Sequence, residues 1–252
     1  MLIEAKDLGD GVRLVTMNRP PANAISREFN EALCQRCREA REDGSVRALI
    51  VTGVGRFFSA GLDIKEALAG TSGVRGLASS ETDGVFALWT MPMPTVAMIN
   101  GHAIAGGTII ALACDFRITQ SGDHRFGLNE IAIGLPLPIG AFEIARLALG
   151  SRGLRYGVLE AQMHGAARAL ELGFVDEVVE PARLEVRCIE LARRLAANGR
   201  LAYAHSKRAL QREAVARVLS QPREELAEAA AITASEETRA LLARQVGAIS
   251  RK

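Results

Sequence analysis

Short apolar segments that alternate with helix-forming segments restrict the fold of this chain more than any other feature of its sequence. The segments 12–17, 48–52 and 95–99 have the length and the β-branched composition of buried strands. Between the first two, Ser26 is placed to cap a helix, and apolar residues recur along one face of that helix until Gly44. The sequence therefore predicts a strand, a helix and a second strand in succession.

The same alternation recurs further along the chain. A helix over 106–114 is predicted to lead into a strand at 116–119, and a helix over 166–172, ended by Gly173, into a strand at 174–179. Because helices that connect consecutive strands are typical of parallel sheets, this repetition predicts an α/β fold.

The C-terminal part of the sequence has a different character. After the last predicted strand the pattern is helical, over 182–197, over 202–218 and again from Pro222. We expect a core over residues 1–195 and a C-terminal helical region over 196–252, which forms either a subdomain or a contact between subunits.

Composition and charge argue against several classes of partner. The chain is 48% hydrophobic, enough for a sizeable core, and its net charge of +2 arises from 31 basic and 29 acidic residues that form no charged block. We therefore expect neither a nucleic-acid partner nor a membrane partner. The first residues contain no apolar segment of signal-peptide length, which favours a cytoplasmic protein. A Gly- and Ser-rich stretch at 70–80 is predicted to be the most mobile loop.

The four cysteines do not form a recognisable metal or redox motif. Cys34 and Cys37 have a CxxC spacing, but they lie inside a helical pattern and no second CxxC or nearby histidine completes a zinc site. We expect these thiols to be ordinary buried side chains and expect no metal site.

The first segment with chemical potential is 57–63, which reads FFSAGLD and leads into a helix that starts near Ile64. Its small residues allow the backbone to approach a ligand, and N–H groups at a helix start are placed to receive an anion or a developing oxyanion. Taken alone, the segment is better explained as a strand-to-helix turn capped by Asp63.

The second segment is 100–108, which reads NGHAIAGGT and precedes an apolar helix. Two adjacent glycines at the helix start suit a close backbone approach, and the N–H of Gly106 can be the second donor of an oxyanion hole. Alone, this motif is weak evidence. A single histidine in apolar surroundings, such as His102, is more typical of a hydrogen-bonded core residue than of a catalytic one.

The third segment is 126–136, which reads FGLNEIAIGLP and contains Glu130 as its only carboxylate. Burial among apolar neighbours would raise the pKa of Glu130 from about 4.3 toward neutrality, where a carboxyl group can transfer protons. A glutamate on the surface or at a helix cap is an equally good interpretation of this segment by itself.

Together, in this order and spacing, the three segments resemble the crotonase (enoyl-CoA hydratase/isomerase) superfamily. The resemblance covers most of the chain and extends to 18–25 (NRPPANAI), to 169–176 (ALELGFVD) and to the helix around Ser206. Within the superfamily the chain looks most like the 3,2-enoyl-CoA isomerases of fatty-acid oxidation. The shared features are SAGLD at 59–63, an Ala-Gly-Gly where hydratases carry three glycines, and GLNE at 127–130.

The resemblance implies a fold, an assembly and a substrate. The fold would be a crotonase-like ββα spiral core with a C-terminal helical trimerisation region, assembled as a homotrimer or a dimer of trimers. The substrate would be an acyl-CoA, with its thioester carbonyl between the N–H groups of Leu62 and Gly106. Asn129 would lie beside the acyl chain, and Lys207 would reach a CoA phosphate from its own or a neighbouring subunit. The implied substrate-binding residues are Ala24, Ala60, Gly61, Leu62, Asp63, Ile64, Gly106, Asn129 and Lys207.

One departure from the hydratase pattern bears on the reaction. The hydratases that this chain resembles use two glutamates to add water. The position of the first glutamate is Ile109 in this sequence, and the position of the second is Glu130. A single carboxylate suffices to move a proton from C2 to C4, so we expect an isomerase with Glu130 as its acid/base. CoA would enter as part of the substrate, and no metal or redox cofactor is required.

Other functions stay open at this level. Hydration, or another crotonase-type acyl-CoA reaction such as hydrolysis or decarboxylation, is the main alternative. A non-catalytic homologue that binds CoA or RNA is a further one. If Glu130 is not the acid/base, the first residues to consider are Glu143, Asp63 and His102.

Overall fold

A computed structural model describes residues 1–64, 66 and 83–249 of the chain. Ile64 and Glu66 are helical, which agrees with the predicted helix start after the FFSAGLD segment. The stretch 70–80, expected to be the most mobile loop, lies outside the described residues.

Six strands form the larger sheet, in the order β1-β2-β3-β5-β7-β9. The edge strand β1 is antiparallel to β2, and every other neighbouring pair is parallel. The six strands are β1 (Ile3–Asp7), β2 (Val12–Met17), β3 (Ala48–Gly53), β5 (Thr95–Ile99), β7 (Phe116–Gln120) and β9 (Glu177–Val179).

A smaller sheet of three parallel strands has the order β4-β6-β8. Its members are β4 (Phe57–Ser59), β6 (His102–Ile104) and β8 (Phe126–Gly127). The chain visits the two sheets alternately, since β3, β5 and β7 are each followed at once by a strand of the smaller sheet. Helices follow β6 and β8, so the core is a spiral of repeated ββα turns, as the resemblance implied.

The helices lie between and after these strands. They are α1 (Arg27–Glu42), α2 (Gly84–Trp89), α3 (Gly106–Ala113), α4 (Ile139–Leu154), α5 (Ala166–Leu172), α6 (Leu184–Ala196), α7 (Arg200–Leu219), α8 (Arg223–Thr233) and α9 (Glu236–Ile249). The helix α4 is interrupted at Gly150, where the backbone is not helical. Short 3₁₀ turns lie at Ile131–Ile133 and Pro181–Arg183, and a π-helical turn lies at Arg155–Leu159.

Local signals explain why several elements begin and end where they do. The Ser26 hydroxyl accepts a hydrogen bond from the Phe29 N–H at 3.1 Å, which caps α1 as predicted. The helix α5 ends at Gly173, which adopts a left-handed conformation. The predicted strand 174–179 was too long, because the Phe174 N–H bonds back to Ala169 of α5 and only the last three residues pair with β7.

The larger sheet is covered on both faces. Alternate residues of β3 point to opposite sides, so Leu49 and Val51 join the main core while Ala48 and Ile50 face α6. The main core also contains four fully buried phenylalanines, Phe29, Phe58, Phe126 and Phe174.

The C-terminal helices follow this core. The helix α6 packs on the face of the larger sheet opposite the main core, and the expected boundary between residues 195 and 196 falls at the C-terminal end of α6. That boundary stays a prediction. Among the described residues, no helix has both the length and the apolar character needed to cross a membrane.

Candidate active site

The orientation of the Leu62 N–H is fixed by a hydrogen bond to the Gly61 carbonyl, which lies on the opposite side of the same peptide group. The residues Ile25 and Leu62 form an isolated parallel bridge, in which the Ile25 N–H donates to the Gly61 carbonyl at 2.8 Å and the Asp63 N–H donates to the Ile25 carbonyl at 3.0 Å. Because the Gly61–Leu62 peptide is planar and trans, fixing its carbonyl toward Ile25 directs the Leu62 N–H away from Ile25.

The N–H of Gly106 is fixed in a similar way at the start of α3. The carbonyl of Ala105 accepts the first helical hydrogen bond, from the Ile109 N–H at 3.1 Å. The Gly106 N–H is on the other side of that peptide, at a helix N-terminus where backbone donors have no partner within the helix. The preceding residue, Ala105, has φ 51° and ψ −124°, an unusual conformation that turns the chain sharply into the helix.

The two N–H groups lie next to each other. A Cβ atom on Gly106 would be 3.7 Å from the Leu62 nitrogen, and a Cβ on Gly61 would be 2.9 Å from the Gly106 nitrogen. The Gly61 backbone also has φ +81°, which favours glycine. Within the described part of the chain, neither N–H donates to another protein group. The arrangement can therefore hold a single oxygen that gains negative charge.

Glu130 is a buried carboxyl group at the head of the 3₁₀ turn Ile131–Ile133. Its side chain is 8% exposed, and its Oε2 atom has no hydrogen-bond partner among the described residues. Burial raises the pKa of Glu130 to about 7, although a hydrogen bond to its own backbone opposes the shift. The desolvation expected from its apolar neighbours is confirmed, and the interpretation as a surface glutamate is wrong.

Backbone contacts bring this glutamate segment close to the Gly106 segment. The strands β6 and β8 pair directly, and the Ala105 N–H donates to the Gly127 carbonyl at 2.8 Å. The hydroxyl of Thr108, in the first turn of α3, donates to the same carbonyl at 2.9 Å. The segment that carries Glu130 is therefore tied to the helix that carries Gly106.

The C-terminal helix α9 completes the burial of the glutamate turn. Ile133 and Leu135 pack with Leu242 of α9 and with Ile64, which lies two residues after Leu62. The Thr238 hydroxyl of α9 donates to the Gly134 carbonyl at 2.8 Å. Sequence reasoning missed this contribution, because no local pattern relates α9 to a turn so far away in the chain.

Asn129 is the immediate neighbour of Glu130 and also has an unsatisfied atom. Its side chain is half-buried, and its Oδ1 atom is buried without a hydrogen-bond partner in the described part of the chain. Two adjacent side chains thus present free acceptor atoms, which is the kind of polar surface a ligand completes.

The other implied binding residues near Leu62 also come together. The Ala60 N–H donates to the Ala22 carbonyl at 2.9 Å, which joins the strand-to-helix turn to the loop that contains Ala24. The Arg19 guanidinium contacts both the Ala24 carbonyl and the Asp63 carboxylate, at 3.1 and 2.7 Å. Sequence reasoning did not single out Arg19, although its place in the Asn-Arg-Pro motif is a usable signal.

Lys207 occupies a different part of the fold. Its Nζ donates to the Asp115 carboxylate at 2.8 Å and to the Met93 carbonyl at 3.4 Å, and its side chain is 5% exposed. Asp115 also accepts a bond from the Thr95 N–H, so this ion pair lies at the amino ends of β5 and β7. The structure does not bring Lys207 to the oxyanion site, and a contact with a phosphate would require this buried ion pair to open.

The alternative acid/base residues are all engaged elsewhere. Glu143 is 3% exposed and pairs with Arg146 and Arg217, at 2.6 and 3.0 Å. The Asp63 carboxylate pairs with Arg19, as described above. His102 accepts a hydrogen bond from the Arg125 N–H at 3.1 Å, so it is a satisfied histidine as expected, although it is only partly buried. Burial lowers the pKa of His102.

The four cysteines are free and buried, as expected. Burial raises the pKa of Cys37, of Cys114 and of Cys188 to about 12, which makes their thiolates inaccessible near neutral pH. In the described ranges, no group of three or more His, Cys, Asp or Glu residues could hold a metal ion.

Comparison with known proteins identifies the family of this chain. Residues 7–243 match the family described as enoyl-CoA hydratase/isomerase. The chain is 33% identical to the short-chain-enoyl-CoA hydratase of Clostridium acetobutylicum, over 80% of this chain and 78% of that protein. It is 34% identical to a probable enoyl-CoA hydratase of Bacillus subtilis, over 74% of this chain and 71% of that protein.

Solved structures show the same fold. The enoyl-CoA hydratase/isomerase from Pseudoalteromonas atlantica superposes with a TM-score of 0.83 at 26% identity, covering 98% of this chain and 97% of that one. The human mitochondrial delta3-delta2-enoyl-CoA isomerase superposes with a TM-score of 0.90 at 23% identity, covering 100% and 99% of the two chains. This chain therefore belongs to the enoyl-CoA hydratase/isomerase family, the crotonase superfamily.

Proposed function

We propose that this protein is an isomerase that shifts the double bond of a 3-enoyl-CoA to the 2-trans position in fatty-acid oxidation. One observation carries the proposal: Glu130 is a buried carboxyl group with a pKa of about 7, while the position that resemblance assigns to a hydratase's first glutamate is the buried, apolar Ile109. One proton carrier is enough for an isomerisation and too few for the two-glutamate addition of water.

The reaction begins with the thioester carbonyl between the N–H groups of Leu62 and Gly106. Glu130 removes a proton from C2, and the electrons of the broken C–H bond move onto the thioester oxygen to give an enolate. The two N–H groups stabilise this negative charge. The protonated Glu130 then returns the proton to C4, the double bond moves from C3–C4 to C2–C3, and the carboxylate is regenerated.

The pKa of Glu130 suits both halves of this proton transfer. Near pH 7 a group with a pKa of about 7 is present in both protonation states in comparable amounts. The ionised form can accept the C2 proton, and the acid form is strong enough to return it to C4. An exposed glutamate, with a pKa near 4.3, would be a much weaker base.

The binding half of the proposal uses the segments around Leu62. Ala24, Ala60 and the stretch from Gly61 to Ile64 would border the nucleotide and pantetheine of CoA, and Asn129 would border the acyl chain. The Asp63 carboxylate is paired with Arg19, which offsets its repulsion of the CoA phosphates. CoA arrives as part of the substrate, and the proposed reaction requires no metal or redox cofactor.

Hydration of a 2-enoyl-CoA is the second candidate, because the relatives from Clostridium acetobutylicum and Bacillus subtilis bear hydratase names. The buried Ile109 side chain argues against it, since it can neither orient nor deprotonate water. An assay of the purified protein with 3-enoyl-, 2-enoyl- and 3-hydroxyacyl-CoA separates the two. We expect turnover of 3-enoyl-CoA and slow or absent hydration of 2-enoyl-CoA. Hydration as fast as isomerisation would replace the isomerase proposal with the hydratase.

We also propose that the chain assembles as a homotrimer or a dimer of trimers. The support is a series of exposed leucines along α7, Leu201, Leu210 and Leu219, which are 83%, 69% and 63% exposed. The helix α8 adds Leu226 and Ile232, at 46% and 43%. Apolar side chains in this number on consecutive helices favour a protein partner.

A further inference from the structure

We propose that Arg19 is a positioning residue that holds the Leu62 N–H in the orientation required by the oxyanion hole. This inference rests on the proposed function, because it assigns Arg19 a part in stabilising the enolate. Arg19 does not contact the site of the reacting atoms. It acts through the two backbone segments that form the Ile25–Leu62 bridge.

The Arg19 guanidinium connects these two segments directly. One nitrogen donates to the Ala24 carbonyl at 3.1 Å, and another donates to the Asp63 carboxylate at 2.7 Å. Ala24 precedes Ile25 and Asp63 follows Leu62, so one planar group holds the residues on either side of the bridge. The side chains of Arg19 and Asp63 are 28% and 19% exposed, which reduces the screening of their attraction by water.

The held segments determine where the donor points. The Leu62 N–H is opposite the Gly61 carbonyl, and that carbonyl is fixed by the 2.8 Å hydrogen bond from the Ile25 N–H. If the Ile25 segment moves relative to Leu62, the peptide can rotate, and the Leu62 N–H then no longer points to the same oxygen as the Gly106 N–H. A displacement of about 1 Å is enough to lower a rate about 100-fold.

The remainder of the loop is held independently of Arg19. Asn23 is 1% exposed, and its side-chain amide donates to the carbonyls of Val54 and Phe57 at 3.0 and 2.9 Å. Its Oδ1 accepts from the backbone N–H of Arg19 at 2.9 Å, a bond that does not involve the arginine side chain. Replacing the Arg19 side chain should therefore loosen the bridge without unfolding the loop.

Arg19 also offsets a charge close to the developing oxyanion. Asp63 immediately follows the donor Leu62, and an unpaired carboxylate there would oppose the formation of negative charge on the thioester oxygen. The ion pair with Arg19 reduces this repulsion. Lysine cannot replace arginine fully, because one ammonium group does not reproduce the fork that contacts two acceptors in fixed directions.

The test compares Arg19→Gln, Arg19→Lys and Asp63→Asn with the wild type on 3-enoyl-CoA. For Arg19→Gln we expect kcat to fall about 10- to 100-fold while KM changes less than about 3-fold, since the loss is confined to charge stabilisation in the transition state. Arg19→Lys should fall between the wild type and Arg19→Gln. The double variant Arg19→Gln/Asp63→Asn should lose less than the product of the two single losses, because the two residues act as a pair.

The matched control is Arg13→Gln, at the other end of β2. Arg13 also pairs with carboxylates, Asp7 and Asp43, and its side chain is 14% exposed, but it lies at the amino end of the strand, away from the bridge. We expect Arg13→Gln to leave kcat unchanged. An equal fall in kcat for Arg13→Gln would show that loss of any such ion pair is enough, and would overturn the assignment of Arg19.

A second measurement reports on the hydrogen bonds from the proposed donors to the thioester carbonyl. With a non-isomerisable acyl-CoA labelled with ¹³C at the thioester carbonyl, infrared spectra of the wild-type complex should show a carbonyl stretch at lower frequency than in water. Arg19→Gln and Asp63→Asn should move that stretch back toward its value in water. If Arg19→Gln does not fold, Arg19→Lys and Asp63→Asn provide the same comparison.

The outcomes separate the inference from the function on which it rests. A wild-type carbonyl with no shift would contradict the oxyanion hole, and with it the proposed function. A shifted wild-type carbonyl that keeps its shift in the Arg19 and Asp63 variants, with kcat unchanged, would overturn the positioning role of Arg19 alone.

Discussion

At the scale of single residues, Glu130 is the acid whose buried carboxyl oxygen has no hydrogen-bond partner among the described residues. Glu143 and Asp63 are paired with arginines. A carboxyl group in that state is costly to ionise and therefore unfavourable for folding. Such a cost is typical of a group retained for its chemistry.

The first prediction at this scale concerns Glu130→Gln. Glutamine keeps the shape of the side chain but cannot accept a proton, so isomerisation should fall by several orders of magnitude while CoA-ester binding survives. Steady-state kinetics and calorimetry with a non-reactive acyl-CoA measure the two effects separately. Unchanged isomerase turnover in Glu130→Gln would contradict the one-glutamate mechanism.

The second prediction concerns the pH dependence of stability. The pKa of Glu130 is raised from 4.5 to about 7, so the folded state holds a proton that the unfolded chain releases at lower pH. The stabilising effect of the neutral form is therefore fully present below about pH 4.5 and is lost as the pH rises through about 7, a change on the order of 3 kcal/mol. Glu130→Gln removes this dependence.

Urea denaturation of the wild type and of Glu130→Gln at about pH 5 and about pH 8 measures this pH dependence of stability. We expect the free energy of unfolding of Glu130→Gln to rise relative to that of the wild type by about 2–3 kcal/mol between these values. Parallel pH profiles for the two proteins would mean that Glu130 is not desolvated in the folded state. Isomerase kcat/KM should have the opposite pH dependence: it should decrease as the pH drops below about 7, because the ionised form of Glu130 is then lost.

At the scale of elements, the proposed oxyanion hole is a junction between the Ile25–Leu62 bridge and the first turn of α3. A Cβ added to Gly106 would lie 3.1 Å from the Ile25 side chain and 3.7 Å from the Leu62 nitrogen. The two elements meet closely enough that the junction has no room for a branched side chain.

Gly106→Val tests this junction. The added side chain should displace Ile25 and occupy the space of the thioester carbonyl, so kcat should fall about 100- to 1000-fold, as expected for the loss of one donor. Circular dichroism and thermal unfolding establish whether the variant folds. A folded Gly106→Val enzyme with wild-type turnover would show that the carbonyl is held by other groups.

Elements with strong local signals were predicted well from the sequence. The Ser26 cap, the apolar face of α1 and the left-handed Gly173 all lie within a few residues of the boundaries that they determine. The strands β1, β4, β6 and β8 were missed. The last three contain only two or three residues, which is too few for a period of two to be visible. The helix α4 was missed as well, and the non-helical Gly150 inside it weakens its pattern.

The residues proposed to contact the substrate were predicted more completely than the residues that hold them in place. The N–H groups of Leu62 and Gly106 lie close together, and the segment that carries Glu130 is tied to the helix that carries Gly106. The contributions of Ile25, Arg19 and α9 were not foreseen. The Thr238 hydroxyl and the Gly134 carbonyl are 104 residues apart in sequence, so only the folded chain reveals that α9 buries the glutamate turn. Lys207 was expected at the site and is held in an ion pair with Asp115.

At the scale of the whole molecule, the C-terminal helices link the proposed assembly with the proposed proton carrier. The helices α7 and α8 expose leucines, while α9 packs Leu242 against Ile133 and Leu135, in the turn that Glu130 precedes. A change in this region should therefore affect both the oligomeric state and the environment of Glu130.

Deleting all residues from Pro222 onward tests this connection. Loss of α9 should admit water to the glutamate turn, lower the pKa of Glu130 toward its ordinary value and reduce isomerase turnover at least about 10-fold. Light scattering of the full chain at micromolar concentration should give the mass of a trimer or a hexamer. Full activity of the truncated chain would contradict the role of α9 in burying Glu130. A monomeric full-length protein would contradict the proposed trimer or hexamer.

The proposed oxyanion donors belong to the main chain, and this limits the ways in which mutation can remove them. Only proline deletes an N–H, so the Leu62 side chain can vary in size and polarity without loss of its donor. Replacing Leu62 with alanine would therefore leave its donor in place. Conversely, a library that randomises positions 62, 109 and 129 while keeping Gly61 and Gly106 would sample new acids, bases and acyl pockets around an intact enolate-stabilising centre. The fold thus offers a starting point for engineering other reactions that pass through a thioester enolate.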